Sequence, residues 1–331
     1  MNLPRSEIGR YVEREFPGAA VERLAGDAST RIFYRIRVPG GQSVVLMDYG
    51  EPFDGETDDI RLGGIFRDAG LRVAGLLRVS AEVGFLVLED LGDRSLEMLL
   101  HETDAPPQGP PPQPLVRAVE LAALVASKGT PLLARSDRAE GPALDAERFR
   151  FEMDFFLEHF AVGLRGIREL PEELRGELYG LADRTAASPK RVLCHRDFHS
   201  RNLMVLDDGS LAMVDVQDAR WGPDTYDLAS ILRDAYIEID EAWIDPMIQI
   251  YLGALDDSPE PTAFGERFRI VGAQRMIKAL GSFGYLTVAT RGGRYLDAIP
   301  RTIGRLRMLL PKSKETKDLF EALTRSGLLN T

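Results

Sequence analysis

The stretch from Val192 to Val216 constrains this chain more than any other. Val192-Leu193-Cys194 reads as a short apolar strand, and Leu203–Leu206 and Leu211–Val216 read as two more, joined by the hairpin turn Asp207-Asp208-Gly209-Ser210. Asn202 then falls at the mouth of the first hairpin strand and Asp215 near the end of the second, so their oxygen-bearing side chains can meet at one end of the hairpin. Asp197 precedes them in a tight loop. Magnesium takes oxygen ligands, usually one or two carboxylates completed by phosphate oxygens and water. Asn202 and Asp215 suit that role, and Asp197 suits acceptance of a proton from an attacking hydroxyl. In phosphoryl transfer a protein mainly positions groups and offsets charge, so two metal ligands and one base go far.

The rest of the chain divides around this hairpin. Residues 4–16 read as an amphipathic helix stopped by Pro17-Gly18. Ala19–Leu24, Arg31–Val38, Ser43–Asp48, Leu76–Ser80 and Phe85–Glu89 read as strands, with a helix over 56–69. Ser95–His101 reads as a helix, the proline-rich segment 105–114 excludes helix and inner strand, and helical patterns dominate from 115 onward. The expectation is an α+β chain of two lobes: a small β-rich lobe over 1–91 that ends in a hinge, and a larger helical lobe over 92–331.

Composition narrows the partners. A formal net charge of −11 argues against non-specific nucleic-acid binding and against docking on an anionic membrane. One cysteine, Cys194, allows no intrachain disulfide, and one cysteine with four histidines makes no zinc constellation. The first residues lack the apolar core of a signal peptide, and no apolar run approaches the ~20 residues of a spanning helix. The expectation is a soluble cytoplasmic protein, with no obligate protein partner evident.

His195-Arg196-Asp197, with Asn202 five positions after the aspartate, resembles the kinase catalytic-loop pattern H-R-D-x-x-x-x-N, and Asp215 stands where the metal-binding aspartate follows. Val216 and Gln217 replace the Phe-Gly of the protein-kinase D-F-G. Gly222-Pro223-Asp224-Thr225-Tyr226-Asp227-Leu228-Ala229 resembles the aminoglycoside-phosphotransferase branch of that fold. The resemblance implies a protein-kinase-like fold with ATP and Mg2+ as cofactors. Gly26, Asp27, Ala28, Ser29 and Thr30 then form a loop over the phosphates, and Glu89 and Leu91 lie in the hinge whose backbone meets the adenine. His195 reads as a brace of the loop, and Asp227 as a helix-opening residue that supports it.

One departure stands out. Protein kinases carry a lysine on the third strand, whereas here that strand reads Ser43-Val44-Val45-Leu46-Met47-Asp48, and no lysine occurs before Lys128. Arg31 and Arg35, on one face of a strand, are the candidate replacements, with Arg31 preferred because it adjoins the phosphate loop. The chain as a whole resembles the bacterial kinases that phosphorylate N-acetylmuramate and N-acetylglucosamine at C1. Its carrying segments include GDASTRIFYRI, SVVLMDYGEP, HRDFHSRNLMV and QRMIKALGSFGYL, and the lysine-free strand is itself a feature of that family. The resemblance implies transfer of phosphate to an amino-sugar hydroxyl in cell-wall recycling. An aminoglycoside or other small-alcohol kinase, and a nucleotide-binding pseudokinase with a regulatory role, are the alternatives. His199, Gln217, Asp218 and Arg233 are the candidate acceptor contacts, with Arg233 either facing a lactyl carboxylate or paired with Asp234 or Glu238. Gln274, Arg275 and Lys278 share a helix face and either line the acceptor cleft or brace the fold.

Overall fold

The computed structural model describes residues 5–24, 31–103, 109–290, 292–293 and 295–330. Its chain forms two compact units, one of residues 1–94 with 204–217 and one of residues 95–203 with 218–331.

The first unit is built on a five-stranded antiparallel sheet. Strands β1 (Ala20–Arg23), β2 (Ile32–Arg37), β3 (Ser43–Asp48), β4 (Leu76–Ser80) and β5 (Phe85–Glu89) lie in the order β1-β2-β3-β5-β4. Alternation sets its faces. Tyr34 and Ile36 of β2, Leu46 of β3, and Phe85 and Val87 of β5 point to one side. Helix α1 (Ser6–Glu15) covers them with Ile8, Tyr11 and Val12, an i, i+3, i+4 stripe. Gly18 follows α1 at φ 77°, a left-handed turn that glycine adopts without strain. Helix α2 (Asp58–Asp68) begins two residues later than the sequence pattern predicts, with Thr57 in extended conformation ahead of it. The opposite face of the β2–β3 ladder carries Phe33 paired with Met47, and Arg35 paired with Val45.

The second unit is mainly helical. Its first helices are α3 (Leu96–Glu102), α4 (Gln113–Leu124), α5 (Thr130–Leu133), α6 (Ala146–Phe156) and α7 (Leu174–Ala186). Helix α3 is capped by Ser95, whose hydroxyl accepts from the Met98 amide. Pro114 lies in the first turn of α4, so Gln113 and Pro114 correct the exclusion of helix from 105–114. A proline in a first turn lacks only an N–H that has no helical partner there.

Strand β6 (Arg191–Cys194) follows, then the hairpin β7 (Leu203–Val205) and β8 (Leu211–Met213), then β9 (Arg220–Pro223), antiparallel to β6. The remaining helices are α8 (Tyr226–Leu232), α9 (Ile244–Gly253), α10 (Pro261–Thr290), α11 (Ala298–Leu309) and α12 (Lys317–Arg325). Helix α10 passes close to the segment that follows α6: a β-carbon on Gly284 would lie 2.4 Å from the His159 carbonyl oxygen. No helix among the described residues is long and apolar enough to cross a membrane.

Candidate active site

The loop after β6 is held from two sides. Asp227, in the first turn of α8, accepts from the backbone amides of His195 at 2.6 Å and Arg196 at 3.1 Å. Between them the chain turns sharply, with Arg196 at φ 79° in the left-handed region. A non-glycine residue there carries strain that its surroundings must hold, and such positions cluster at functional sites. The Arg196 side chain closes the turn by pairing with Asp218 at 2.9 Å, while His195 is fully buried with its ring edge against Phe198. Cys194 is buried ahead of the turn, and burial pushes its thiol well above the usual range, so it stays a neutral core residue.

Asp197 is fixed by its own backbone. Its carbonyl accepts from the His199 amide and from the Asn202 carboxamide, each at 3.0 Å. Its carboxylate meets helix α10: Lys278 donates to Oδ1 at 2.9 Å and Arg275 lies 3.8 Å from the same oxygen. Burial alone would raise the Asp197 carboxyl, but Lys278, Arg275 and Arg196 outweigh it and hold the group well below the usual carboxylate range. Burial pulls Lys278 down, with Asp197 opposing. Asp197, His199, Arg233, Tyr236, Lys278 and Phe283 line one pocket of the second unit. His199 packs its ring edge on Tyr236, and burial lowers its pKa, which favours the neutral imidazole.

The other proposed acceptor contacts have their own partners. Asp218 is shared by Arg196 and Arg220, and Gln217 lies in the first unit, where its amide donates to Asp215 at 2.6 Å. The guanidinium of Arg233 is engaged by Glu241, rather than by the Asp234 or Glu238 that its neighbourhood in sequence suggests. Lys278 and Arg275 are the residues whose importance spacing alone left open. Their i, i+3 relation puts both on the side of α10 that faces the loop.

In the first unit, the β7–β8 hairpin is tied down where the Val205 amide bonds the Arg94 carbonyl and the Met213 amide bonds the Arg72 carbonyl. Strand β8 ends at Met213, short of the predicted Val216, because Asp215 turns to φ 65°. That turn leaves the Asp215 carboxylate exposed, 3.8 Å from Arg31 Nη2. Arg31 holds Asp59 at 2.7 and 2.8 Å through Nη1. Arg35 is engaged elsewhere, by Asp90 at 2.7 Å and Asp93 at 2.5 Å, with its side chain 5% exposed. Glu89 ends β5 with its carboxylate on Arg72 at 2.5 and 2.7 Å, and Leu91 follows in irregular backbone. Gly26, Asp27, Ala28, Ser29 and Thr30 lie outside the described residues.

Each unit carries an oxygen donor of the type a hard divalent cation takes. Asp215 offers a carboxylate, and Asn202, whose amide nitrogen is used on Asp197, has a carboxamide oxygen to offer. No group of three or more His, Cys, Asp or Glu gathers around a point among the described residues. Magnesium, which completes its shell with phosphate oxygens and water, takes oxygen donors of this type.

The family model of the phosphotransferase enzyme family matches residues 20–264. The chain belongs to that family. An N-acetylmuramate/N-acetylglucosamine kinase of Neisseria meningitidis is 32% identical over 329 residues, covering 95% of this chain and 91% of the relative. One of Pseudomonas aeruginosa is 29% identical, covering 93% of this chain and 89% of the relative. Among solved structures, a choline/ethanolamine kinase family protein from Mesorhizobium loti superposes with a TM-score of 0.61 at 15% identity, covering 97% of this chain and 99% of that one. The fold is therefore the protein-kinase-like fold of the phosphotransferases, and within the family the chain groups with the N-acetylmuramate/N-acetylglucosamine kinases. It is an enzyme, a small-molecule kinase.

Proposed function

We propose that this kinase transfers the γ-phosphoryl group of ATP, with Mg2+, to the C1 hydroxyl of an N-acetylated amino sugar, N-acetylmuramate or N-acetylglucosamine or both. The observation that carries the reading is the Asp197 carboxylate, braced by Lys278 in a pocket walled by Tyr236 and Phe283. Relatives named for those two sugars match along nearly the whole chain.

Asp215 and Asn202 would hold Mg2+, which when bound would offset the charge of the phosphates. Asp197 receives the proton as the acceptor oxygen bonds to phosphorus and the bond from that phosphorus to the leaving ADP oxygen breaks. Three cations make Asp197 a weak base. Such a base works best on an acidic hydroxyl, and the hemiacetal hydroxyl at C1 is the most acidic of a sugar. Tyr236 and Phe283 contribute aromatic surface to the pocket, which suits the apolar C–H side of a sugar ring. Arg31 supplies the positive charge that a strand lysine gives in protein kinases. A place in the cytoplasm, in the recycling of cell-wall sugars, belongs to the same proposal.

The test is turnover. Purified protein is incubated with ATP, Mg2+ and, separately, N-acetylmuramate, N-acetylglucosamine, an aminoglycoside and choline, and the products are followed by phosphorus NMR. An acid-labile glycosyl phosphate from either amino sugar is the expected product. Phosphorylation of the aminoglycoside or choline alone overturns the choice of acceptor. Tight ATP binding without turnover of any acceptor overturns the catalytic reading in favour of a nucleotide-binding regulator.

A further inference from the structure

Kinase sites of this fold fix their phosphate-binding lysine by pairing it with a carboxylate on the adjacent helix. Here Met47 stands near the lysine position and is buried, with Phe33 opposite it on β2 and Leu86 opposite it on β5. The β2–β3 register pairs Ile32 with Asp48 and Phe33 with Met47, so one more step places Arg31 opposite Tyr49. Arg31 thus stands two residues from Phe33, on the same face as Met47.

Arg31 and Tyr49 converge on one carboxylate of α2. Arg31 Nη1 lies 2.7 and 2.8 Å from the two oxygens of Asp59, and the Tyr49 hydroxyl donates to Asp59 Oδ2 at 2.6 Å. The Thr57 hydroxyl, at the mouth of α2, lies 2.9 Å from the Tyr49 oxygen. The side chains of Arg31 and Asp59 are each 15% exposed, so the pair is largely shielded from water. The second terminal nitrogen of the same guanidinium, Nη2, is 3.8 Å from Asp215 Oδ1.

We propose that Arg31, Asp59 and Tyr49 form a positioning clamp in place of the strand-lysine and helix-carboxylate pair. Asp59 and Tyr49 tie one edge of the Arg31 guanidinium to α2 and so set how closely its other edge approaches Asp215. This rests on the phosphotransfer reading above. One guanidinium lies between two carboxylates, and the shorter contacts keep it on Asp59. Without the Asp59 charge, Arg31 closes on Asp215 and competes there with the divalent cation. Arg31 without its own charge does the reverse: the competitor disappears, and so does a phosphate contact. A brace with no bearing on the site would not split the two variants in this way.

The test measures binding, not turnover. A fluorescent ATP analogue is titrated onto the full chain over a range of Mg2+ concentrations, with folding checked by circular dichroism. In Asp59→Asn the Mg2+ concentration for half-maximal nucleotide binding should rise about tenfold. In Tyr49→Phe it should rise about two- to threefold, since one hydroxyl bond to Asp59 is lost. In Arg31→Gln nucleotide affinity should fall about tenfold with no rise in the Mg2+ midpoint. Should Asp59→Asn fail to fold, Tyr49→Phe and Arg31→Gln decide. Wild-type midpoints in every folded variant of Asp59 and Tyr49, from a wild type that binds Mg-nucleotide, overturn the clamp alone. A wild type that binds no Mg-nucleotide overturns the phosphotransfer reading, and the clamp with it.

Discussion

Lys278 donates from Nζ to Oδ1 of Asp197 at 2.9 Å, across 81 residues of sequence. The ammonium lines the same pocket as the carboxylate it neutralises. On the proposed mechanism, Asp197 takes up a proton, and that ammonium then loses its counter-charge and becomes available to the negative charge on the transferring group. Lys278→Met keeps the stem and removes the charge. We expect kcat/KM for the sugar to fall about 100-fold, roughly 2.7 kcal/mol of transition-state stabilisation. Nucleotide affinity should stay within about twofold, because the proposed function puts this contact on the acceptor side. Steady-state kinetics with the sugar as varied substrate checks this, and unchanged kcat/KM would remove Lys278 from the reaction.

Asp197→Asn asks a different question. The asparagine keeps the shape, and the backbone contacts from His199 and Asn202 to the Asp197 carbonyl do not depend on the side chain. On the proposed mechanism, what is lost is proton acceptance and the charge that faces Lys278, Arg275 and Arg196. Turnover should drop by about 10³-fold while ATP still binds, the pattern of a lost general base. Single-turnover rates and a nucleotide titration on one preparation separate the two effects. Survival of more than a tenth of the wild-type rate would mean that Asp197 is not the base.

How much of this was legible in the sequence depends on what each residue needed. The sheet of the first unit was, because each strand alternates and is bounded by turn residues; β3, β4 and β5 begin and end where the pattern places them. That Asp227 opens a helix and braces the loop was legible too; that it does so through the His195 and Arg196 amides was not. The end of β8 was not. Its apolar run continues to Val216, and only the left-handed turn at Asp215 cuts the strand short. Nor was Asp59, which in sequence is one more first-turn acid of α2; its bond to Arg31 follows from the β2–β3 register and the approach of α2. Lys278 showed its spacing with Gln274 and Arg275, but spacing names a helix face and not the loop that the face meets.

Asp90 gives a prediction in pH. Burial alone would raise its carboxyl, but Arg35, the Ser43 hydroxyl and the Gly92 amide outweigh burial and hold it below the usual carboxylate value. A carboxylate depressed in the fold stabilises above its unfolded pKa, about 3.9, and that contribution is lost as pH falls through the lower folded value. Asp90→Asn leaves Arg35 short of one of its two carboxylates and should cost about 2 kcal/mol at pH 7. The gap between wild type and variant should be constant above about pH 4 and shrink below it. Urea unfolding followed by far-ultraviolet circular dichroism at several pH values reads this directly. A gap that widens on acidification would contradict the sign.

The last prediction joins packing to the pocket. A β-carbon on Gly284 would lie 2.4 Å from the His159 carbonyl oxygen and 2.8 Å from the Phe160 α-carbon, backbone atoms that cannot turn aside. Helix α10 must therefore move to admit even a methyl group, and the same helix carries Arg275 and Lys278 to Asp197. Gly284→Ala should destabilise by about 1–3 kcal/mol through overpacking. It should also lower sugar turnover by about tenfold or more beyond what unfolding explains, because misplacement by an ångström is costly to a positioned group. Gly265, on the same helix, has nothing within 4 Å of its added β-carbon. There the change to alanine removes the entropy cost of a helical glycine, and Gly265→Ala should stabilise by about 0.5–1 kcal/mol with turnover unchanged. Thermal melts and kinetics on the two variants side by side check both halves. Wild-type turnover in a folded Gly284→Ala enzyme would show that the position of α10 does not control the base.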